Sequence, residues 1–250
     1  MKTLFLAWQA PEKSLQPRSW YPVGRLDAEV EQSSFRFGYT RGALKARDEA
    51  GFVPLFAFPD LQADYESNKL FPLFQNRVLS QKRPEFKEYL KWLDLDREPA
   101  DPISILAVSG GERVTDSLEV FPKIQTSQDG SFQLRFFLHG LRHLGQTSIE
   151  RALELIENDS LRVSMELNNP VTRLAVTLMT NDYQMIGWTP RYLVADLIQC
   201  VPRAPELTAK VARINSDSAP LNQRILIELT GKAPEGIELM STPDFQLVNS

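Results

Sequence analysis

The chain has 250 residues, of which 42% are hydrophobic and 24% are charged, and its net charge is −4 at pH 7. This composition is ordinary for a folded protein and is sufficient for one large domain or two small ones. Residues 136–232 carry equal numbers of acidic and basic residues, which excludes a protein that holds duplex DNA mainly through a large basic excess.

Short strands come first along the chain, at residues 3–8, 20–25 and 34–40. The third has an aromatic residue at every second position, which is typical of a half-buried strand. The N-terminal run MKTLFLAWQ lacks the long apolar core and small-residue cleavage site of a secretory signal. We therefore interpret it as the first strand.

The segment RPEFKEYLKWLDL (83–95) predicts a helix. Pro84 suits the first helical turn, and the apolar residues then recur at i, i+4 and i+7. The next residues, DREPADP (96–102), are rich in charge and proline and predict a linker. The stretch VSGGERVTD (108–116) lacks the GK[ST] ending of a phosphate-binding loop, so it predicts a turn.

A turn and a strand are predicted over DGSFQLRFFLHGLRHL (129–144), followed by a helix over TSIERALELIEN (147–158). Thr147 and Glu150 have the spacing of a capping box at the start of that helix. Its apolar stripe would be formed by Ile149, Leu153 and Ile156.

The rest of the chain is predicted to be mainly β. A helix is expected over residues 189–199, with Thr189 as its N-cap and Pro190 in its first turn. Residues 233–250 read as a loosely packed acidic tail. The strands are expected at 160–167, 174–179, 185–188, 207–214 and 224–229. The fold class predicted from these elements is α+β and rich in strands.

His139 and His143 are the only two histidines, and they lie four residues apart in RFFLHGLRHL (135–144). A metal site would need a third or fourth ligand, and the chain has no HExxH motif and no Cys, His and Asp cluster with ligand spacing. It also lacks a GxSxG nucleophile elbow. We therefore predict a protein that is not an enzyme and that uses no metal and no cofactor.

Trp188 follows a glycine and precedes the predicted helix that holds Arg191 in its first turn. An indole and a guanidinium beside the backbone donors of a helix start could hold an anion or stack on a base. The alternative is that Trp188 packs in the core, as is usual for a lone aromatic residue. The residues alone leave both interpretations open.

Three separated segments occur in an order and spacing that resemble a HIRAN domain: HGLRHL, LRVSMELNNPVTRLAV and IGWTPRYLVADL. The HIRAN pattern is a strand ending in Gly-x-Arg plus an aromatic, then Asn-Pro-x-Asp-x-x-Ala-Val, then Gly-aromatic or Gly-His before a basic helix start. The resemblance covers about 136–232. It implies a small OB-like β-barrel with two helices that binds single-stranded DNA or DNA 3′ ends.

The resemblance also implies a nucleic-acid-binding face. Arg142 takes the place of a phosphate-contacting arginine, and His143 that of an aromatic residue that stacks on a base. Trp188 takes the position after the glycine, and Arg191 takes the basic position at the helix start. The loop beside this face would be shaped by Asn168, Asn169 and Pro170.

Two positions depart from the HIRAN pattern. Val171 replaces an aromatic residue that stacks on the terminal base, and Thr172 replaces the Asp expected to contact the 3′-hydroxyl. Two of the terminus-reading groups are therefore absent. An alternative function follows, in which the HIRAN-like barrel has lost DNA-end recognition and serves as a protein-interaction or regulatory module.

The segments PVGRL, FRFGYTRGAL and LFPLFQNRVLS in residues 1–98 are similar in rhythm to the N-terminal lobe of HipA-type toxin kinases. That resemblance implies structural and partner contacts for an N-terminal α+β region. The predicted organisation is this region at 1–98, a connecting β segment at 99–135, the HIRAN-like domain at 136–232 and the acidic tail at 233–250.

Cellular location is predicted from apolar runs and cysteine content. The longest apolar runs are far too short to span a bilayer as helices, so no membrane partner is expected. The single cysteine, Cys200, rules out an internal disulfide framework and fits a reducing compartment. We expect a bacterial, cytoplasmic protein.

Overall fold

A computed structural model of the chain describes residues 1–15, 18–96 and 100–249. The chain divides into two compact units. Unit 1 consists of Met1–Phe86, Glu98–Lys123 and Met240–Ser250, and unit 2 consists of Lys87–Arg97 and Ile124–Leu239. No helix in the described ranges has the length and apolar character needed to cross a membrane.

Unit 1 is built on a five-stranded antiparallel sheet with strand order β4-β3-β2-β1-β5. The three strands predicted in this region are confirmed, and β4 and β5 are additional. The strands are β1 (Lys2–Gln9), β2 (Trp20–Glu29), β3 (Ser34–Tyr39), β4 (Asp64–Ser67) and β5 (Leu118–Pro122).

Helices flank the strands in both units. Those of the N-terminal half are α1 (Arg41–Ala50), α2 (Pro72–Gln75), α3 (Phe86–Trp92) and α4 (Pro102–Ser109), and those of the C-terminal half are α5 (Gln146–Leu153) and α6 (Val194–Gln199). The helix predicted from RPEFKEYLKWLDL is confirmed as α3. The helices α1, α2 and α4 were not expected from the sequence pattern.

The start of α4 corrects the linker predicted at 96–102. Asp101 is the N-cap, and its carboxylate accepts hydrogen bonds from the backbone N–H groups of Ile103 (2.9 Å) and Ser104 (3.0 Å). Pro102 occupies the first helical position, where its missing N–H costs nothing. The second half of the predicted linker therefore begins a helix, and residues 97–99 lie outside the described residues.

Aromatic side chains form the centre of unit 1. The ring of Phe37 on β3 stacks on Phe58 with centroids 4.0 Å apart, and Tyr39 lies edge-on to Phe37 at 5.3 Å. The Tyr39 hydroxyl donates to the carbonyl of Phe58 (2.7 Å) and accepts from the N–H of Leu55 (2.7 Å). The alternating aromatic residues of β3 thus hold the following loop on the sheet.

The last residues of the chain pack on unit 1 and do not form the loose tail predicted for 233–250. The ring of Phe245 lies 4.9 Å from that of Phe5. Leu247 forms a β-bridge with Thr40, and the Val248 N–H donates to the carbonyl of Tyr39 (2.9 Å). Apolar residues after position 244 therefore outweigh the acidic character of the segment.

Unit 2 contains a six-stranded antiparallel sheet with strand order β6-β11-β10-β7-β8-β9. All the strands predicted for this region are confirmed. They are β6 (Ser131–Phe137), β7 (Ser160–Asn169), β8 (Arg173–Met179), β9 (Met185–Trp188), β10 (Thr208–Ile214) and β11 (Ile225–Lys232). The strand-rich α+β class predicted from the sequence is confirmed.

The chain just after β6 meets the other outer strand, β9, at one point. His139 and Trp188 form an isolated antiparallel bridge in which each N–H donates to the other residue's carbonyl at 3.0 Å. Across the described ranges, no continuous strand ladder joins β6 to β9. In the described residues the sheet is therefore not closed into the predicted barrel by strand pairing. A single bridge, between His139 and Trp188, joins its two sides.

The capping box predicted for α5 is wrong. The N-cap is Gly145, and Thr147 lies inside the helix, which begins at Gln146. The buried side chains are Ala152 and Leu155, whereas Leu153 and Ile156 are exposed. The apolar stripe is therefore rotated relative to the prediction.

The helix start predicted at Thr189 is also wrong. The N–H of Thr189 donates to the carbonyl of Val176 (2.9 Å), so Thr189 continues the pairing of β9 with β8. A short 3-10 turn, Arg191–Leu193, then leads into α6. Strand pairing outweighs the local capping preference of threonine here.

Asp94 explains why residues 87–97 belong to unit 2. Its carboxylate accepts hydrogen bonds from Arg135 on β6 (2.9 Å) and Arg213 on β10 (3.2 Å). Nearby, the side-chain amide of Asn215 donates to the carbonyl of Trp92 (3.0 Å). The N-terminal region predicted at 1–98 therefore differs from unit 1, and the connecting segment predicted at 99–135 is divided between the two units.

Cys200 directly follows α6 and is fully buried. Burial raises the pKa of its thiol to about 11, and the charge of Asp196 one helical turn earlier acts in the same direction. We expect the native thiol to resist Ellman's reagent at pH 8 and to react at once in guanidinium chloride, because the thiolate is the reactive form. An exposed control, Ser80→Cys, should react without denaturant, and equally fast reaction at Cys200 would contradict the burial.

Candidate functional site

The segment after β6 turns sharply and exposes two of the predicted binding residues. Gly140 adopts a left-handed conformation (φ 79°, ψ 3°) and begins a 3-10 turn, Leu141–His143. Leu141 is buried and anchors the turn, whereas Arg142 and His143 are exposed. Both residues therefore lie on a turn beyond the strand, and the expectation that they end a barrel strand is corrected.

Trp188 lies directly over Gly140. A Cβ atom at position 140 would stand only 2.3 Å from Cε3 of the indole. The bridge between His139 and Trp188 keeps the Gly140 turn close to the indole. Glycine is therefore required at position 140 both for the left-handed backbone and for the close approach of the ring.

A hydrogen-bond network ties Trp188 to the loop between β7 and β8. The indole N–H donates to Oε2 of Glu166 (2.9 Å), and the side-chain amide of Asn169 donates to the same oxygen (3.0 Å). The ring orientation is thus fixed by a carboxylate on β7. Nothing local in the sequence indicated this role for Glu166, because it depends on the pairing of three strands.

Asn169 also fixes the shape of the loop. Its Oδ1 accepts from the N–H groups of Val171 (3.0 Å) and Thr172 (2.9 Å) and from the Thr172 hydroxyl (3.0 Å). This is the local pattern that asparagine favours in turns. Pro170 and Val171 are exposed on this loop, and Asn168 is exposed near the end of β7.

Arg142 and His143 contact each other on the turn. Nε of the guanidinium donates to Nε2 of the imidazole at 3.1 Å. Nε2 of the ring is the acceptor in this bond. The bond uses only Nε of Arg142, so the terminal nitrogens of the guanidinium can face an anion.

The remaining predicted residues lie nearby in the chain. Arg191 is half-buried at the first position of the 3-10 turn that precedes α6, so it does not stand at the start of the helix itself. His139 contributes its backbone N–H and carbonyl to the bridge with Trp188. The structure thus brings together the turn at Gly140, the indole of Trp188 and the loop shaped by Asn169.

A metal ion has no set of ligands here. In the parts of the chain that the structure describes, no three side chains of His, Cys, Asp or Glu are grouped so that they could hold one. The site offers instead the indole of Trp188, the imidazole of His143 and the guanidinium of Arg142. The Glu166 carboxylate beside them accepts hydrogen bonds from the uncharged side chains of Trp188 and Asn169. Such a set can stack on planar groups and pair with a phosphate.

Comparisons with known proteins add little. No protein-family model matches the chain. No curated protein matches it. A crystal structure of a protein from Lactobacillus plantarum is similar to part of the chain, with 13% sequence identity over 41% of this chain and 99% of that one and a TM-score of 0.31. A similarity at this level carries no argument about function.

Proposed function

We propose that residues 136–232 form a HIRAN-like module that binds single-stranded nucleic acid, with single-stranded DNA as its ligand, in a cytoplasmic protein. One observation carries the proposal. Three segments that are far apart in sequence converge around Trp188, and they are the three segments on which the HIRAN resemblance rests. The binding residues are Arg142, His143, Asn168, Asn169, Pro170, Trp188 and Arg191.

The proposed fold of this module is an OB-like barrel. The bridge between His139 and Trp188 supports it, because a barrel requires its two edge strands to meet. The same bridge positions the binding face, since it brings the Gly140 turn beside the indole. In this proposal the same bridge would both close the barrel and assemble the binding face.

The proposed chemistry is stacking combined with a phosphate contact. A base would stack on the indole of Trp188 or the imidazole of His143, and Arg142 would pair with the adjacent phosphate. The bond to Glu166 and the packing on Gly140 hold the indole in one orientation before binding. A preorganised ring loses less conformational entropy when a ligand stacks on it.

Fluorescence anisotropy with short single-stranded oligonucleotides tests the proposal. We expect binding at about 50 mM salt that weakens at about 200 mM, because phosphate contacts release counterions. Oligonucleotides that end in 3′-hydroxyl and 3′-phosphate should bind with similar affinity, because the Thr172 hydroxyl is already bonded to Asn169. No binding at the lower salt concentration would overturn the proposal.

Arg142→Ala is expected to weaken that binding about tenfold and to flatten its salt dependence, because one phosphate contact is lost. Arg203→Ala is the matched control, since Arg203 is an exposed arginine of unit 2 outside the proposed face. It should bind like the wild type. If Arg142→Ala combined with Trp188→Ala leaves the affinity unchanged, the nucleic acid binds elsewhere.

A second candidate function is a protein-interaction or regulatory module. Exposed apolar side chains on the β7–β8 hairpin favour it, because such a patch commonly marks an interaction site. The residues are Met165, Leu167, Val171 and Leu174. In this alternative, the HipA-like N-terminal region would supply further partner contacts. Co-purification of one protein in stoichiometric amount, with no oligonucleotide binding, would support it over the first.

A further inference from the structure

Arg162 on β7 lies on the same face of the sheet as the indole of Trp188. The pairing of β7 with β8 is regular from Arg162 to Glu166. Because side chains alternate between the two faces of a strand, Arg162, Ser164 and Glu166 share one face. The hydrogen bond from Trp188 to Glu166 (2.9 Å) places the indole on that face too. A second cation, separate from Arg142, therefore accompanies the proposed binding site.

The guanidinium of Arg162 stacks on an exposed tyrosine. Its Cζ lies 4.4 Å from the centroid of the Tyr183 ring, inside the ~6 Å limit of a cation–π contact. Arg162 is exposed and Tyr183 is 66% exposed, so solvent reaches both side chains. Among the residues that the structure describes, no carboxylate forms an ion pair with Arg162. The charge and the second face of the guanidinium are therefore open to a ligand.

The turn between β8 and β9 holds Tyr183 in a fixed position. Tyr183 adopts a left-handed conformation (φ 65°), and its N–H donates to the carbonyl of Thr180 (3.0 Å). Glycine and asparagine favour this conformation, so turn geometry alone gives no reason for a tyrosine here. The preceding carboxylate, that of Asp182, accepts two hydrogen bonds from Arg151 on α5 (3.1 and 3.3 Å). The ring is therefore presented beside a carboxylate that is already paired.

Small side chains lie between the Arg162–Tyr183 pair and Trp188. Ser164, two residues after Arg162, is paired with Thr177 on β8, and Thr177 is paired with Trp188 on β9. Thr177 is buried, and its hydroxyl donates to the carbonyl of Ser164 (3.3 Å). A flexible ligand can therefore cross this part of the face without meeting a long side chain of β7 or β8.

We propose that the Arg162–Tyr183 pair is a second contact point for the single-stranded DNA that binds at Trp188. This inference rests on the proposed function of the Trp188 site. A base stacks on the tyrosine ring or on the open face of the guanidinium, and the edge of the guanidinium pairs with a phosphate. Both contacts are available to any base, so they add affinity without reading sequence.

The distance between the two contact points sets the length of the ligand. Arg162 and Glu166 are four residues apart, which is about 13 Å along a strand. A stacked single strand advances about 3.4 Å per nucleotide, so about four nucleotides cover this span. The ligand is therefore a stretch of several nucleotides that lies across β7, β8 and β9, and a terminal nucleotide alone is too short.

Competition anisotropy with oligothymidylates of about 2 to about 12 nucleotides, at about 50 mM salt, tests the proposal. We expect the affinity of the wild type to rise steeply at about four nucleotides. Arg162→Ala should remove this rise, weakening the longest strands about tenfold and leaving the dinucleotide unchanged. Arg203→Ala is the matched control, because it removes the same charge from an exposed position of unit 2 outside this face.

Two further variants separate stacking from charge. Arg162→Lys keeps the charge but loses the planar group, and Tyr183→Leu removes the ring. Each is expected to weaken the longest strands about threefold. Full affinity in Arg162→Lys would overturn the stacked contact. If Tyr183→Leu does not fold, the Arg162 variants decide.

Failure of this inference differs from failure of the proposed function. If Arg162→Ala binds the longest strand like the wild type while Arg142→Ala binds it more weakly, the second contact point is wrong and the Trp188 site stands. A wild-type chain that binds no oligonucleotide of any length would overturn both.

Discussion

Gly140→Ala is expected to destabilise unit 2 by about 2–4 kcal/mol, which combines the cost of a left-handed non-glycine residue with that of overpacking. The added Cβ would stand 2.3 Å from Cε3 and 2.6 Å from Cζ3 of Trp188, on a backbone with φ of 79°. Urea unfolding followed by circular dichroism measures the loss. The same variant should lose affinity for single-stranded DNA, because the indole must move.

Gly145→Ala is the matched control for this prediction. It lies five residues further along, in an extended conformation (φ −66°), and no atom lies within 4 Å of the Cβ that it would gain. Because alanine is a poorer N-cap than glycine, we expect a loss of stability below about 1 kcal/mol. If Gly140→Ala were equally well tolerated, the indole could not lie over the turn, and the proposed face would have to be abandoned.

Arg77→Ala is expected to destabilise unit 1 by about 2–4 kcal/mol, because it leaves two buried backbone carbonyls without a donor. The Arg77 side chain is only 1% exposed and forms a salt bridge with Asp116. Its Nη1 also donates to the carbonyls of Gly111 (2.9 Å) and Leu118 (3.4 Å). Urea unfolding again provides the measurement.

Arg113→Ala tests whether that loss is specific to the buried guanidinium. Arg113 is exposed on the same loop, so its replacement should change the unfolding free energy by less than about 0.5 kcal/mol. A loss below about 1 kcal/mol for Arg77→Ala would mean that water or another side chain satisfies the two carbonyls.

The glycine-rich stretch around Gly110 and Gly111 shows what local pattern can and cannot predict. The turn expected from VSGGERVTD is confirmed, since both glycines adopt left-handed conformations at the end of α4. The hydrogen bonds from Arg77 to Gly111 and Asp116 could not be predicted. They join residues 34 and 39 positions apart in sequence, and no periodicity connects them.

Elements with a clear period were predictable, and elements without one were not. The strands of unit 2 alternate or run apolar, and all were found. Helix α4 was missed because PISILAVS is apolar on every side, although Asp101 and Pro102 are an ordinary helix start. The sequence predicts a helix start at Thr189 because threonine is a common N-cap. In the structure the backbone N–H of Thr189 instead donates to Val176 on β8.

The candidate site divides in the same way. Gly140, Trp188 and the Asn169 loop could be identified because each lies in a segment with a recognisable pattern. Glu166 could not, because its bonds to Trp188 and Asn169 exist only once β7, β8 and β9 are paired. The 3-10 turn that carries Arg142 could not be predicted either, because the sequence pattern of its residues continues that of β6.

Photocrosslinking tests the central claim most directly. A single-stranded oligonucleotide carrying 5-iodouracil at internal positions is irradiated with the full chain, and the attached peptides are identified by mass spectrometry. A base stacked on the proposed face should attach to Trp188 or His143, with further adducts in the loop 168–172. Adducts confined to unit 1, or adducts that persist unchanged in Trp188→Ala with His143→Ala, would contradict the account.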